Sequence, residues 1–180
     1  MKQARGLLHF ARWVQEIKNV EWAKSSSWTE LLLVLIGPAG TGKPTLLRLV
    51  EALIEEFLGQ ESVQKATPSN TAARILGGDT VHALCKLPPG FLTGKWGHLS
   101  DGVLKKHRQR WKHARAFLLD EFSMLALDDY YKADIRIRQE KREPMRVLGG
   151  LGVSLSGDWL QLPSVDKTMY CDSDNRCSCS

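Results

Sequence analysis

Apolar residues recur along this chain with two different spacings. Around Ala11 to Ala23, Trp13, Val14, Ile17 and Val20 return at near-helical intervals, and the serines Ser25 to Ser27 break the pattern. Leu31 to Ile36 is instead an unbroken apolar run of six residues ending in Gly-Pro-Ala-Gly, which predicts a central parallel strand covered on both faces. From Lys43 to Leu58, Leu46, Leu47, Val50, Leu53, Ile54 and Phe57 form one helical stripe opposite Arg48, Glu51 and Glu55, and Gly59 stops it. The unit is strand, glycine loop, helix.

The alternation continues. It predicts a strand at Val63 to Ala66, a short helix from Asn70 to Leu76, a turn at Gly77-Gly78-Asp79 and a helical stretch from Thr80 to Cys85. Leu87 to Gly102 carries two prolines and four glycines and reads as an exposed excursion. A basic helix at Val103 to His113, a strand at Ala116 to Leu119, a helix from about Leu125 to Gln139 and a strand at Gly152 to Leu155 follow. Strands alternating with helices predict an α/β fold around a mostly parallel sheet. The expected organisation is an N-terminal helix and linker over 1–28, one domain over 29–165 and an irregular tail over 166–180.

Composition narrows the class. The 180 residues suit one domain, and 43% hydrophobic with 25% charged residues excludes a mainly disordered chain. The longest apolar run falls far short of the roughly 20 residues a bilayer span needs, so a soluble chain without a membrane partner is expected. A net charge of +5 tilts the expected partner toward an anion. Three of four cysteines, Cys171, Cys177 and Cys179, fall in the last ten residues, which gives no disulfide framework and no paired zinc spacing. A reducing compartment is expected. The basic, apolar N-terminus reads either as the first amphipathic helix of the domain or as a mitochondrial presequence.

Candidate chemistry starts at Gly37-Pro38-Ala39-Gly40-Thr41-Gly42-Lys43, which fits the first seven positions of the phosphate-binding pattern G-x-x-x-x-G-K-[ST] between a predicted strand and helix. Gly37, Ala39, Gly40, Thr41 and Gly42 would turn backbone N–H groups toward phosphate, and Lys43 would reach the terminal phosphates. The eighth position is Pro44 where the pattern has Ser or Thr. Proline suits a first helical turn, but it has neither a hydroxyl for Mg²⁺ nor an N–H for a phosphate oxygen. Thr45 follows, about 100° further round the helix, and does not simply replace the lost ligand.

Ala116 to Leu119 runs into Asp120-Glu121, placing two carboxylates at the carboxyl edge of a parallel sheet. Asp120 is the candidate Mg²⁺ ligand, through water, and Glu121 the candidate base for an attacking water. A third element, Gly157-Asp158-Trp159-Leu160-Gln161-Leu162-Pro163, offers Gln161, whose amide can both donate to a phosphate and accept from water.

In this order the elements resemble the first RecA-like domain of the petite integration frequency (Pif) helicases of superfamily 1. Pro68-Ser69-Asn70-Thr71-Ala72-Ala73 resembles the family's P-T-G-x-A-A, and Gly78 to Leu84 is similar to G-x-T-I-H-S-L. Asp120 to Met124 resembles D-E-I-S-M, and Gly149-Gly150 with Gly157 to Val165 resembles G-G followed by G-D-x-x-Q-L-P-P-V, with Ser164 for Pro. The likeness spans Leu31 to Val165, 135 of 180 residues.

The resemblance implies a P-loop domain with a three-layer RecA-like fold, and ATP with Mg²⁺ as cofactors. It implies ATP-driven unwinding of DNA, 5′ to 3′ along single strands, in repair, recombination and telomere maintenance, in the nucleus or the mitochondrion. Lys43, Asp120, Glu121 and Gln161 become the catalytic set. Pro68, Ser69, Thr71, Thr80 and His82 become contacts to single-stranded DNA, with His82 open between a phosphate contact and a cap of its own turn. The family also uses a second RecA-like domain with an arginine completing the ATP site, expected here from a longer or separate chain. The 180-residue chain alone is therefore expected to hydrolyse little ATP. Its adenine-contacting glutamine has only Gln15 as a candidate.

Lys105, Lys106, Arg108, Arg110, Lys112 and Arg115 place six cations within eleven residues, with Leu104, Trp111 and Ala114 on a separate helical face. Lys105, Arg108 and Lys112 are candidate DNA contacts, against a solvated helix face; Trp96 and Trp111 could stack on bases or pack inside. Two rival functions remain open from the residues: a module that binds DNA or nucleotide without hydrolysis, as Pro44 suggests, and a small kinase, against which Asp120-Glu121 and the glutamine motif argue.

Overall fold

The computed structural model describes residues 2–22, 31–87, 99–158 and 160, and within the first helix the side chains of residues 7–19. Strands β1 (Leu32–Ile36), β2 (Val63–Thr67), β3 (Asp79–Thr80), β4 (Ala116–Leu119) and β5 (Gly152–Gly157) form one sheet in the order β1-β5-β4-β2-β3. Every pair is parallel. Parallel neighbours need crossover connections, which α2 (Lys43–Leu58), α3 (Asn70–Leu76), α4 (Val81–Cys85) with α5 (Asp101–Trp111), and α6 (Leu127–Lys141) supply, while α1 (Lys2–Trp22) precedes the first strand.

Strand alternation divides the core into two layers. Ala116 and Leu118 of β4 face α1 and α2, where Phe10, Trp13, Val14, Ile17, Leu46, Val50 and Ile54 are buried. Phe117 and Leu119 face the other way, onto Val81, Leu84, Trp111, Ala133 and Ile137 of α4, α5 and α6. The result is the expected three-layer α/β domain.

The expectation for the first strand needs correction. Among the described residues β1 ends the sheet rather than lying inside it, and only one of its faces is covered. Leu33 and Leu35 pack under α1 and α2, whereas Leu32, Val34 and Ile36 are 64%, 43% and 57% exposed. Among the described residues no strand pairs with its outer edge. An all-apolar run records that both faces avoid polar groups, not that both are covered within the described residues. Smaller differences concern boundaries: α1 starts earlier than predicted, two 3₁₀ turns (Phe122–Met124 and Val147–Gly150) flank α6, and the two-residue β3 has too little length to show a period. The excursion and the tail fall outside the described residues for 88–98 and 161–180.

Small residues on β5 let α1 come close. A Cβ built on Gly152 would lie 2.3 Å from Cζ2 of Trp13, so the indole rests directly on that backbone. Ser154 and Ser156, fully buried, continue the row.

On the opposite face a charged group lies inside. Glu140 of α6 is only 3% exposed, with His107 Nδ1 of α5 3.4 Å from its Oε1. Burial pushes the Glu140 carboxyl up to about 7, against the pull of Arg136, the Trp111 indole, Arg110 and Arg108. Arg136 is itself anchored, its Nε donating to the Cys85 carbonyl at 3.2 Å. Because the folded value exceeds the ordinary 4.5, the native state holds this proton more tightly, and the Glu140 contribution to stability falls as pH rises from the mid-fours through about 7. Burial pushes His107 the other way, below its usual range, assisted by Lys86, Arg110 and Arg136, so His107 favours the neutral form beside the carboxyl. Glu140→Gln should therefore gain on the parent protein in urea midpoint between about pH 5.5 and about pH 8. A gap that does not change with pH overturns this assignment.

Candidate functional site

In parallel strands the carboxyl ends share one edge, and the residues following β1, β4 and β5 meet there. β1 passes into the glycine loop, whose Gly40 and Gly42 have φ of 78° and 81°, the left-handed region glycine tolerates without cost from a Cβ. Gly37 N–H donates to the Gly157 carbonyl at 3.3 Å, joining the loop to the end of β5. α2 begins immediately at Lys43, with Pro44 in its first turn and Leu46 N–H reaching Gly42 O at 3.0 Å. The proline leaves the helix intact.

Lys43 is 9% exposed, and its Nζ donates to the carbonyls of Gly37 at 2.6 Å and Pro38 at 3.1 Å. The ammonium thus sits across the mouth of its own loop. Thr41 Oγ1 donates to Pro38 O at 2.8 Å, while Ala39 and Thr45 are exposed. Thr45 follows Pro44 round the helix.

Asp120 closes β4, its N–H donating to Ala66 O of β2 at 3.0 Å, and its carboxylate is 6% exposed. Its Oδ1 accepts the Glu121 N–H at 3.0 Å. Glu121 itself has φ 54°, a left-handed conformation that a non-glycine residue adopts at some cost and that turns the chain sharply after the strand. Its Oε2 is buried with no hydrogen-bond partner. Burial raises the Glu121 carboxyl above its usual range, Asp120 and Asp158 add to the rise, and Lys43 opposes it. That coupling places Lys43, Asp120, Glu121 and Asp158 in one electrostatic neighbourhood.

Asp158, a member of this neighbourhood, and Ser123, two residues after Glu121, are not singled out by the sequence reading. Asp158 is 6% exposed and accepts the Leu160 N–H at 3.0 Å; Ser123 Oγ is buried without a partner. Both stand inside motifs already noted, and an acid following Gly at a strand end is the signal that could have found the first. Gln161 lies outside the described residues.

Among the described residues no three His, Cys, Asp or Glu side chains cluster as a metal cage. A magnesium ion needs less, since it is commonly held by one or two carboxylates, phosphate oxygens and water. The buried Asp120 carboxylate beside the loop fits that demand, and Pro44 does not add to it.

The other candidate contacts divide between two places. Pro68, Ser69 and Thr71 follow β2, and Thr80 ends β3 in register with Thr67, so all four stand at the carboxyl edge. Ser69 Oγ accepts from Ala72 N at 3.2 Å and Thr80 Oγ1 from Ala83 N at 3.2 Å, each capping a short helix. Since Thr80 caps this turn, His82 is free of that duty, and its Nε2 lies 3.5 Å from Asp129 Oδ2. Lys105, Arg108 and Lys112 do not join them: α5 runs toward the start of β4, at the amino edge. Trp111 does not face solvent, being fully buried and 6.3 Å from the Phe117 ring. Trp96 lies outside the described residues.

The PIF1-like helicase family model matches residues 18–174. The ATP-dependent DNA helicase PIF1 of Saccharomyces cerevisiae is 34% identical over 73% of this chain and 15% of its own length. PIF7 of Trypanosoma brucei brucei is 36% identical over 74% of this chain and 13% of its own. Among solved structures, a Bacteroides Pif1 bound to ssDNA superposes with a TM-score of 0.62 at 28% identity, covering 86% of this chain and 33% of that one. Pif1 helicase from Bacteroides in complex with ADP-AlF3 and ssDNA gives the same score and coverage. The chain thus spans about a sixth of the length of the first yeast relative and a third of these solved chains. Since the family match runs through the parallel sheet and through every motif gathered at its carboxyl edge, the chain belongs to the PIF1-like helicases.

Proposed function

We propose that this chain is the nucleotide-binding portion of an ATP-dependent DNA helicase of the Pif type, which unwinds DNA 5′ to 3′ with a second RecA-like domain supplied by a longer or separate chain. The observation that carries this reading is the meeting of Lys43, Asp120 and Glu121 at one sheet edge, beside the ends of β2 and β3. Roles in repair, recombination and telomere maintenance, in the nucleus or the mitochondrion, follow from the resemblance.

In the proposed mechanism Lys43 exchanges the carbonyls of Gly37 and Pro38 for the terminal phosphate oxygens of ATP, while the loop from Gly37 to Gly42, including Ala39 and Thr41, presents N–H groups to the other phosphates. Asp120 would hold magnesium through water, and the ion would supply charge neutralisation at the phosphates. Glu121, whose carboxyl burial raises above its usual range, takes a proton from the attacking water, and a raised carboxyl holds that proton more firmly. Gln161 reports the phosphate state. Pro68, Ser69, Thr71, Thr80 and His82 lie along single-stranded DNA.

A second reading, a module that binds nucleotide and DNA without hydrolysis, is favoured by Pro44. Fluorescent ATP binding and phosphate release separate the two. Lys43→Ala should weaken nucleotide binding at least about tenfold, the worth of a charge-assisted hydrogen bond. Glu121→Gln should retain binding and remove whatever DNA-stimulated phosphate release the parent shows. Unchanged nucleotide affinity in Lys43→Ala defeats both readings; with the second RecA-like domain joined to the chain, parent phosphate release at background, or release that Glu121→Gln leaves unchanged, defeats the hydrolytic one.

A further inference from the structure

The cations of α5 do not all face one way. Arg110 turns toward β2 and β3, where its Nε donates to Gln64 Oε1 at 2.9 Å and its guanidinium pairs with Asp79. Lys105, Arg108 and Lys112 turn toward α6 instead, and with Lys141 and Arg142 they line a groove of about 450 Å³. Its acid is Glu140, whose side chain is fully buried. The wall is built into the fold. Lys141 Nζ donates to the carbonyls of Trp111 at 3.2 Å and Ala114 at 2.9 Å, so it braces the turn between α5 and β4.

That turn lies at the amino edge of the sheet, since Arg115 N–H reaches Ser62 O at 2.7 Å just before β2 and Gly152 N–H reaches Arg115 O at 2.9 Å at the start of β5. A smaller cleft of about 200 Å³ continues past Lys141 to Arg115 and Arg146, with Glu143 as its acid. Positive charge is therefore gathered on the α5–α6 side of the amino edge, whereas Glu51, Glu55, Glu61 and Asp79 line a separate groove beside the starts of β2 and β3.

The groove offers charge and little else. Its aromatic residue, Trp111, is fully buried, so among the described residues the groove presents no ring for a base to stack on. Single strands are held by cations together with stacking platforms, whereas a duplex presents two phosphate chains and hides its base faces. We propose that this amino-edge groove binds the phosphate backbone of double-stranded nucleic acid, separately from the single-strand contacts assigned to the carboxyl edge. The identity of the polyanion rests on the helicase reading; the groove and its charge do not.

Lys105, Lys112 and Arg142 have exposed side chains, so neutralising them tests the groove without opening the core. Anisotropy of a labelled duplex of about 20 base pairs and of an oligo-dT strand of about 20 nucleotides is followed from about 50 to about 200 mM salt. Lys105→Gln with Lys112→Gln and Arg142→Gln should lower the log-log salt slope for the duplex by about 2 to 3, at about 0.9 per phosphate contact, and leave that for oligo-dT nearly unchanged. The charge-keeping set Lys105→Arg, Lys112→Arg and Arg142→Lys should behave as the parent, and equal urea midpoints should establish that all three proteins fold alike. An unchanged duplex slope, an equal fall for both probes, or no duplex binding by the parent overturns the proposal. Thr80→Ala with His82→Ala supplies the separate arm: oligo-dT binding that survives it refutes the carboxyl-edge assignment while leaving the amino-edge groove standing.

Discussion

Replacing Pro44 with Thr should tighten magnesium-dependent ATP binding by about one to two decades. A hydrogen bond to a charged group is worth roughly 1.5 to 3 kcal/mol, and the substitution returns both a backbone N–H and a hydroxyl at the first turn of α2. The helix itself should change little, because its first turn accepts proline and threonine alike and Leu46 already bonds back to Gly42. Titration calorimetry with ATP separates the two returned groups. With magnesium removed, only the part of the gain due to the N–H should remain. If the affinity is unchanged with magnesium present, Pro44 is not the defect in this loop, and the reading of a weakened site fails.

Trp111→Ala should destabilise the domain by about 3 to 5 kcal/mol, the range for deleting a buried large aromatic side chain. The indole is fully buried at the end of α5, tilted against Phe117, and packed with Ala133 and Ile137 of α6. Its removal leaves a cavity where α5, β4 and α6 meet, and those elements are already held rigid there by Lys141 bonding to the Trp111 carbonyl. Guanidinium unfolding followed by circular dichroism reads the loss. Trp111→Leu should lose less than the alanine variant and keep the DNA affinity of the parent. A Leu variant that folds normally but loses DNA binding would falsify the burial argument and restore the ring as a base-stacking group.

The strand, glycine loop and helix from Leu32 to Leu58 were legible because each carries its own period and the loop has fixed spacing. The carboxyl-edge site was legible for the same reason: in a parallel sheet, residues directly after β1, β4 and β5 must meet, so Gly37, Asp120 and Gly157 are neighbours by topology. What lay beyond reach depends on contacts between distant positions. Nothing local distinguishes Leu32 from Leu33, yet one is exposed and the other packed under a helix. The basic run on α5 reads as one stripe, but Asp79 and Gln64 capture Arg110 on one side while Lys141 and Arg142 of α6 extend Lys105, Arg108 and Lys112 on the other. Glu121 gives no sign in sequence of its left-handed backbone, which follows from the turn into the 3₁₀ segment.

The indole of Trp13 lying on Gly152 ties together two positions at opposite ends of the described chain. Each fixes what the other can become during divergence. While Trp13 is present, position 152 has no room for even a methyl group; once the ring is replaced by a small side chain, alanine or serine becomes tolerable on β5. Substitutions at these sites are consequently accepted in one order and rejected in the other, and the history of the pair should be written as coupled changes rather than independent ones.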